Sequence, residues 1–227
     1  MTEVAHVSTE LETYLTKLAA LDRATKTDSS ARTASARPLP DGVADLNTNR
    51  IPPETMATLR HHAKRGEWPF YFKGEVGRGK SYTAAAVYHL WTGSAVWMSF
   101  VDFCDRSMEL KKTGELNLYV RGRYCEYTRE SWWRGIATTG LIVLDEIGSG
   151  MSHEFRDEAL LTLLEKRKGK PLILTGNLTL DQLRTKFDER IQSRIKSGTI
   201  IDFAGRDLRN DGLESRVARV NVTEFRA

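Results

Sequence analysis

Cysteine is scarce in this sequence: its 227 residues hold two, Cys104 and Cys125. They lie too far apart for a C-x-x-C motif, which excludes a zinc ribbon and a disulfide scaffold. They read as reduced, half-buried thiols of a cytosolic protein. Long apolar runs are missing too. A membrane span needs about 20 consecutive apolar residues, and Leu141-Ile142-Val143-Leu144 is among the longest runs here. The chain opens Met1-Thr2-Glu3-Val4, without the basic start and apolar stretch of a secretory signal. No internal repeat is visible. The expectation is a cytoplasmic protein with no membrane partner.

A large net charge is missing as well, since 34 Lys and Arg face 30 Asp and Glu, a net +4. That total permits a nucleic-acid partner without requiring one. Its distribution says more. Residues 1–50 hold six basic and seven acidic side chains. The excess therefore lies in the remainder, around Lys111-Lys112, Arg121-Gly122-Arg123 and the last forty residues.

What is present divides into two parts. Thr9 and Glu12 fit a capping box, and Leu11, Tyr14, Leu15, Leu18 and Leu21 follow at helical spacing. Residues 24–49, rich in Ala, Thr, Ser, Asp and Pro, read as a flexible linker. The leucine stripe needs a cover. Either the helix folds back on the main domain, or it docks on a partner with the linker giving it reach. The expected division is residues 1–48 as helix and linker and 49–227 as the main domain.

Within 49–227 the pattern alternates. Helices are predicted over 53–65, 80–91, 101–112, 154–168 and, broken, 180–196. Strands are predicted over 68–73, 95–100, 140–145, 171–175 and 199–203. Short strands alternating with helices imply an α/β fold with a five-stranded parallel sheet covered on both faces, a three-layer sandwich.

The strongest motif is Gly74-Glu75-Val76-Gly77-Arg78-Gly79-Lys80-Ser81, with Tyr82 next to it. It fits G-x-x-x-x-G-K-[ST] and sits between a predicted strand and a predicted helix. Glycines let the backbone curl so that successive amides face phosphate oxygens, and the helix N-terminus adds partial positive charge. Lys80 is placed to reach the β- and γ-phosphates and Ser81 to ligate Mg²⁺. The second motif is the apolar strand ending in Asp145-Glu146. Asp145 is the candidate to hold Mg²⁺ and Glu146 to polarise an attacking water, so hydrolysis is expected and a P-loop kinase is the weaker rival. A third strand runs into Thr175-Gly176-Asn177. Asn177 either orients the water or caps the next helix. Arg190 and Arg194, at i and i+4, share one helix face: a solvated or DNA-facing basic edge, or arginines supplied to a neighbouring subunit's nucleotide.

Taken in order, Gly74 to Ser81, the run 141–148 (LIVLDEIG), 170–178 (KPLILTGNL), 188–195 (DERIQSRI) and 203–209 (FAGRDLR) resemble the AAA+ ATPases of the DnaC/IstB class. These are replicative helicase loaders and transposition helper ATPases. The resemblance covers about residues 50–210. It implies a P-loop NTPase of the AAA+ type using ATP and Mg²⁺, encoded by a bacterium or a phage. Asn177 then corresponds to the sensor residue, Arg194 to an arginine finger acting across a subunit interface with Arg190 beside it, and Arg209 to a late arginine near the nucleotide. The same resemblance implies ATP-dependent self-association into a helical or ring-like oligomer, binding of single-stranded DNA, and docking on a hexameric replicative helicase through residues 1–48. An IstB-like helper binding duplex DNA, and a nucleotide-gated adaptor with negligible turnover, are the alternatives. The chain departs from the family at Glu75 to Arg78, where Pro-x-Gly-Thr is more usual, and at Gly176, where Ser is more usual. Little chain follows Arg209, so no helical lid domain is expected. DNA-contact candidates are Lys111, Lys112, Arg121, Arg123 and Tyr124, basic with interleaved aromatics, and the loop 149–155 with Ser152 and Phe155. Trp132 and Trp133 read as core or interface instead.

Overall fold

The computed structural model describes residues 39–40, 43, 46–120, 123–149, 154–204 and 220–223. A short 3-10 turn, Thr48–Arg50, leads into α1 (Pro53–Lys64), β1 (Phe70–Lys73), α2 (Lys80–Leu90), β2 (Ala95–Ser99) and α3 (Phe100–Thr113). Then come β3 (Glu115–Val120), β4 (Arg123–Thr128), α4 (Arg129–Thr138), β5 (Leu141–Ile147) and α5 (Glu154–Lys166). The order closes with β6 (Leu172–Gly176), α6 (Leu180–Lys186), α7 (Glu189–Lys196), β7 (Thr199–Phe203) and β8 (Val220–Thr223). The capping box placed at Thr9 and Glu12 lies outside the described residues, as do Arg121, Ser152 and Arg209.

The main sheet runs β2-β5-β6-β1-β7-β8. The first five strands pair in parallel, as the alternating pattern predicts, and β8 adds an antiparallel edge that the pattern does not reveal. Side chains alternate across a strand, and here that alternation divides two cores. Tyr71, Ile142, Leu144, Leu172, Leu174 and Ile200 face α3, α4, α5, α6 and α7. Phe70, Phe72, Leu141, Val143, Ile173 and Ile201 face α1 and α2. Strands with both faces buried read as continuous apolar runs, which is why β5 and β6 are legible as LIVL and LIL.

Two findings concern residues 113–138. They form an antiparallel hairpin, β3–β4, followed by α4, where the sequence shows only a basic connection. Gly114, at φ 82°, ends α3 and starts the hairpin. Leu116 is buried beneath it, while Tyr119 and Tyr124 pair across its outer face, 78% and 58% exposed. Thr128 and Ser131 form a reciprocal capping box that starts α4. Trp132 is buried and Trp133 packs against the core, as their sequence setting suggests.

The cysteines differ. Cys104 is fully buried on α3, and that burial pushes its thiol up to about 12, whereas Cys125 is half-buried on β4. The thiolate is the reacting form. In the folded protein at pH 8, Cys104 should therefore alkylate at least about tenfold more slowly than Cys125. Peptide mass spectrometry after brief iodoacetamide treatment reads this directly, and equal labelling would contradict the buried position of α3.

Candidate nucleotide site

The carboxyl ends of β1, β5 and β6 meet where a cavity of about 410 Å³ opens. That size suits a small-molecule ligand. Loop residues Val76 to Tyr82 line one side, with Glu146 and Asn177 on the other. The loop can lie this close only because of its glycines. Gly74, at φ 156°, sits so near β7 that a Cβ would come within 2.4 Å of the Phe203 carbonyl oxygen. Gly77 and Gly79 both adopt positive φ, 81° and 84°. Gly79 is also the residue before α2 and offers no side-chain cap, so the first amides of α2 are left for a ligand.

The cations around this loop are partly engaged with it. Lys80 Nζ donates to the Glu75 carbonyl oxygen at 2.7 Å, on the loop's own backbone. Arg78, 18% exposed, pairs with the Glu75 carboxylate. Tyr82 joins the loop helix to the segment that precedes the domain. Its hydroxyl donates to the Asn47 carbonyl at 2.9 Å and accepts from the Asn47 amide at 2.6 Å. Beside that clasp, Arg50 enters the cavity wall. Arg50 lies 24 residues before Gly74 and belongs to no motif, so sequence reasoning misses it.

Ser81 and Asp145 come together as predicted. Ser81 Oγ donates to Asp145 Oδ1 at 2.8 Å, joining the start of α2 to the end of β5. Hydroxyl and carboxylate oxygens are the hard donors that Mg²⁺ prefers, and Mg²⁺ commonly takes one or two of them alongside substrate phosphates. Among the described residues no group of three or more His, Cys, Asp or Glu could hold a metal by itself. The donor set therefore fits an ion shared with a bound nucleotide.

Glu146 is reached by an irregularity. The β5–β6 register shifts between Leu144 and Ile147, and Glu146 takes φ 61°, the only positive φ of a non-glycine residue among those described. Such shifts re-aim side chains at functional sites. Here the shift turns Glu146 into the cavity wall. Asn177 is set by β6 and the turn after it. Tyr71, buried, donates its hydroxyl to the Leu178 carbonyl at 2.8 Å, and burial raises its pKa. Gly176 leaves no room for a Cβ, which would lie 2.8 Å from that hydroxyl. Thr179, not Asn177, caps α6, with Gln182 closing the box. The capping reading of Asn177 is thus answered by the residue two places on.

Other candidates lie elsewhere. Arg190 and Arg194 line a separate surface hollow with Arg184 and Glu189, away from the nucleotide cavity. Arg190 grips the Asp188 carboxylate through Nε at 3.0 Å and Nη2 at 2.8 Å, which pulls the Asp188 carboxyl down to about 2. Arg194 stands 3.7 Å from Glu165. Of the DNA candidates, Lys111 pairs with Glu158 at 2.5 Å and rests over the Phe155 ring, whereas Lys112 and Tyr124 are exposed. Arg123 is placed on β4 by its backbone.

Neither a protein-family profile nor a curated protein matches the chain. Solved structures do. The DnaI structure matches at TM-score 0.54 and 19% identity, covering 75% of this chain and 94% of that one. The DnaC helicase loader matches at TM-score 0.53 and 16% identity, covering 66% and 89%. AMPPCP-bound DnaA from Aquifex aeolicus matches at TM-score 0.55 and 17% identity, covering 69% of this chain. The chain spans about half the length of that DnaA structure, 48%. At these identities the likeness is one of fold. The chain shares its α/β P-loop fold with these helicase-loader and DnaA structures.

Proposed function

We propose that this protein binds ATP with Mg²⁺ in the 410 Å³ cavity, hydrolyses it to ADP and phosphate, and uses that cycle to load a hexameric replicative helicase onto single-stranded DNA. One observation carries the nucleotide chemistry: the Ser81–Asp145 hydrogen bond across the mouth of a glycine loop that begins a helix. Ser81 and Asp145 would hold Mg²⁺, which when bound neutralises charge on the β- and γ-phosphates. The amides of the loop and Lys80 bind the phosphates. Lys80 exchanges the Glu75 carbonyl for phosphate oxygen, a stronger, charge-assisted bond. Glu146 accepts the proton of the water that attacks the γ-phosphorus. The bond to the β–γ bridging oxygen breaks, and ADP leaves. Asn177, on the same wall, hydrogen-bonds the attacking water or the γ-phosphate.

The helicase step is supported by the likeness to DnaI and DnaC, which covers nearly the whole of those two chains. In this reading Arg194 and Arg190 act on a neighbouring subunit's nucleotide in a helical or ring-like assembly in the cytoplasm. Residues 1–48 dock the helicase, and residues 49–227 form the ATPase. The exposed Tyr119–Tyr124 pair of the β3–β4 hairpin, with Lys112 near its base, offers stacking faces to a single strand.

Phosphate release by the full chain, with single-stranded or duplex DNA and with a hexameric helicase, tests this. Single-stranded DNA should stimulate turnover more than duplex. ATP should be required for the helicase to appear on a closed single-stranded circle. Arg194→Ala should bind nucleotide normally but lose about tenfold or more of the stimulated rate. Release no faster than background would reject hydrolysis in favour of a binding adaptor. Stronger stimulation by duplex would favour the transposition helper.

A further inference from the structure

Thr175 is the next-to-last residue of β6, wholly buried, on the strand that lies between the one carrying the phosphate loop and the one carrying the acidic pair. Its hydroxyl makes two bonds of opposite sense. It donates to Asp145 Oδ1. It accepts from the Glu146 backbone N–H at 2.9 Å. Ser81 Oγ donates to the same Oδ1.

Each bond answers a local problem. Asp145 Oδ1 receives two hydroxyl protons, from α2 and from β6, so the carboxylate is fixed from both sides. Its other oxygen is thereby given a set direction. Glu146 sits where the β5–β6 ladder breaks, at φ 61°. A left-handed glutamate is unfavourable and persists only when its surroundings over-determine it. The Thr175 hydroxyl supplies an acceptor for the N–H at that break, which would otherwise be unpaired beside the core.

On the proposed ATPase reading, we infer that Thr175 is a positioning residue: one buried hydroxyl that sets the Asp145 carboxylate toward the metal and holds the strained Glu146 backbone that aims its carboxylate at the water. It touches neither nucleotide nor water, and it acts through the two acidic residues at once. A threonine fits where serine or valine each offer half. Valine keeps the branched shape in a wholly buried position, serine keeps the hydroxyl, and threonine supplies both.

Thr175→Val keeps the shape and removes both bonds; Thr175→Ser keeps the hydroxyl. For the full chain with Mg²⁺ and ATP, the valine variant should lose about tenfold or more in kcat while KM stays within about threefold. A fluorescent ATP analogue should bind it normally in EDTA, but the Mg²⁺ concentration needed to tighten that binding should rise about threefold or more. Thr175→Ser should restore both readouts. Valine values within about twofold of wild type on both, or a serine variant as impaired as valine, would overturn the inference. A purely structural role would lower the melting temperature and leave the kcat-to-KM split and the Mg²⁺ requirement unmoved. If the valine variant does not fold, Thr175→Ala, which introduces no clash, takes the same measurements. If wild type binds nucleotide but releases no phosphate, the hydrolysis reading fails separately, and the Mg²⁺ titration still decides Thr175.

Discussion

Lys80→Ala should weaken ATP binding by at least about 100-fold, close to 3 kcal/mol at 1.4 kcal/mol per decade. The variant should nonetheless melt within a few degrees of wild type. Both halves follow from where the ammonium sits. Lys80 is half-buried at the first position of α2, and its ammonium donates to a neutral carbonyl, Glu75 O at 2.7 Å. Removing a half-buried lysine from such a bond costs the fold little. Phosphate binding is different, because the ammonium there meets several anionic oxygens beside the amides of the helix N-terminus. A titration with a fluorescent ATP analogue checks the first half and a thermal melt the second. Affinity within about threefold of wild type would move the phosphates out of this loop. A comparable loss of stability would mean that the variant reports on folding instead.

The residues that this prediction uses are also those most legible in the sequence. Gly74 to Ser81 must satisfy backbone geometry within eight consecutive positions, so the constraint is written in adjacent letters. Asp145-Glu146 is nearly as plain, because a buried strand ends abruptly in charge. What escapes the sequence is information spread between distant segments. Thr175 reads as one more polar residue at a strand end, until β5 and β6 pair and its hydroxyl meets Asp145 and the Glu146 amide. Arg50 enters the cavity wall beside the Asn47–Tyr82 clasp, from a segment no motif marks. The β3–β4 hairpin hides for a further reason. Its alternating Leu116, Leu118 and Val120 are interleaved with Asn117 and Tyr119, so each strand buries little by itself. The hairpin is secured by its own pairing and by α3 and α4 at its base.

Arg167 escapes most completely, and the second large effect is expected there. In Lys166-Arg167-Lys168 it looks like the solvated basic end of a helix. Instead it is 2% exposed, while both neighbouring lysines are exposed. Its guanidinium donates to the carbonyls of Ile136 at 3.3 Å, Gly140 at 3.0 Å and Pro171 at 2.5 Å, and to that of Thr139. Ile136 lies in the last turn of α4 and Thr139 is its C-cap, where carbonyls lack intrahelical partners and the helix carries partial negative charge. Gly140 and Pro171 lead into β5 and β6. One side chain therefore ties the ends of two helices to the starts of the two strands that carry Asp145 and Thr175. No carboxylate pairs with Arg167 among the described residues. Burial alone pulls its pKa down to about 10, so it stays charged at neutral pH. Carbonyl dipoles thus offset the cost of burying the charge. Removing the cation takes a donor from all four carbonyls; Pro171 keeps the Ile142 N–H at 3.2 Å, so the loss falls on Ile136, buried, and on the half-buried Thr139 and Gly140. Arg167→Met keeps most of the apolar stem and relieves the buried charge, yet orphaned acceptors cost about 1–3 kcal/mol each before any rearrangement. The net destabilisation should be about 3 kcal/mol, a fall of roughly 6–12 °C in Tm for a domain of this size. Arg167→Lys, with a single ammonium that cannot span four carbonyls in a fork, should lose about half as much. Urea unfolding of the three proteins at pH 7 measures the order. A methionine variant as stable as wild type would mean that water or backbone adjustment satisfies those carbonyls and that the guanidinium is dispensable.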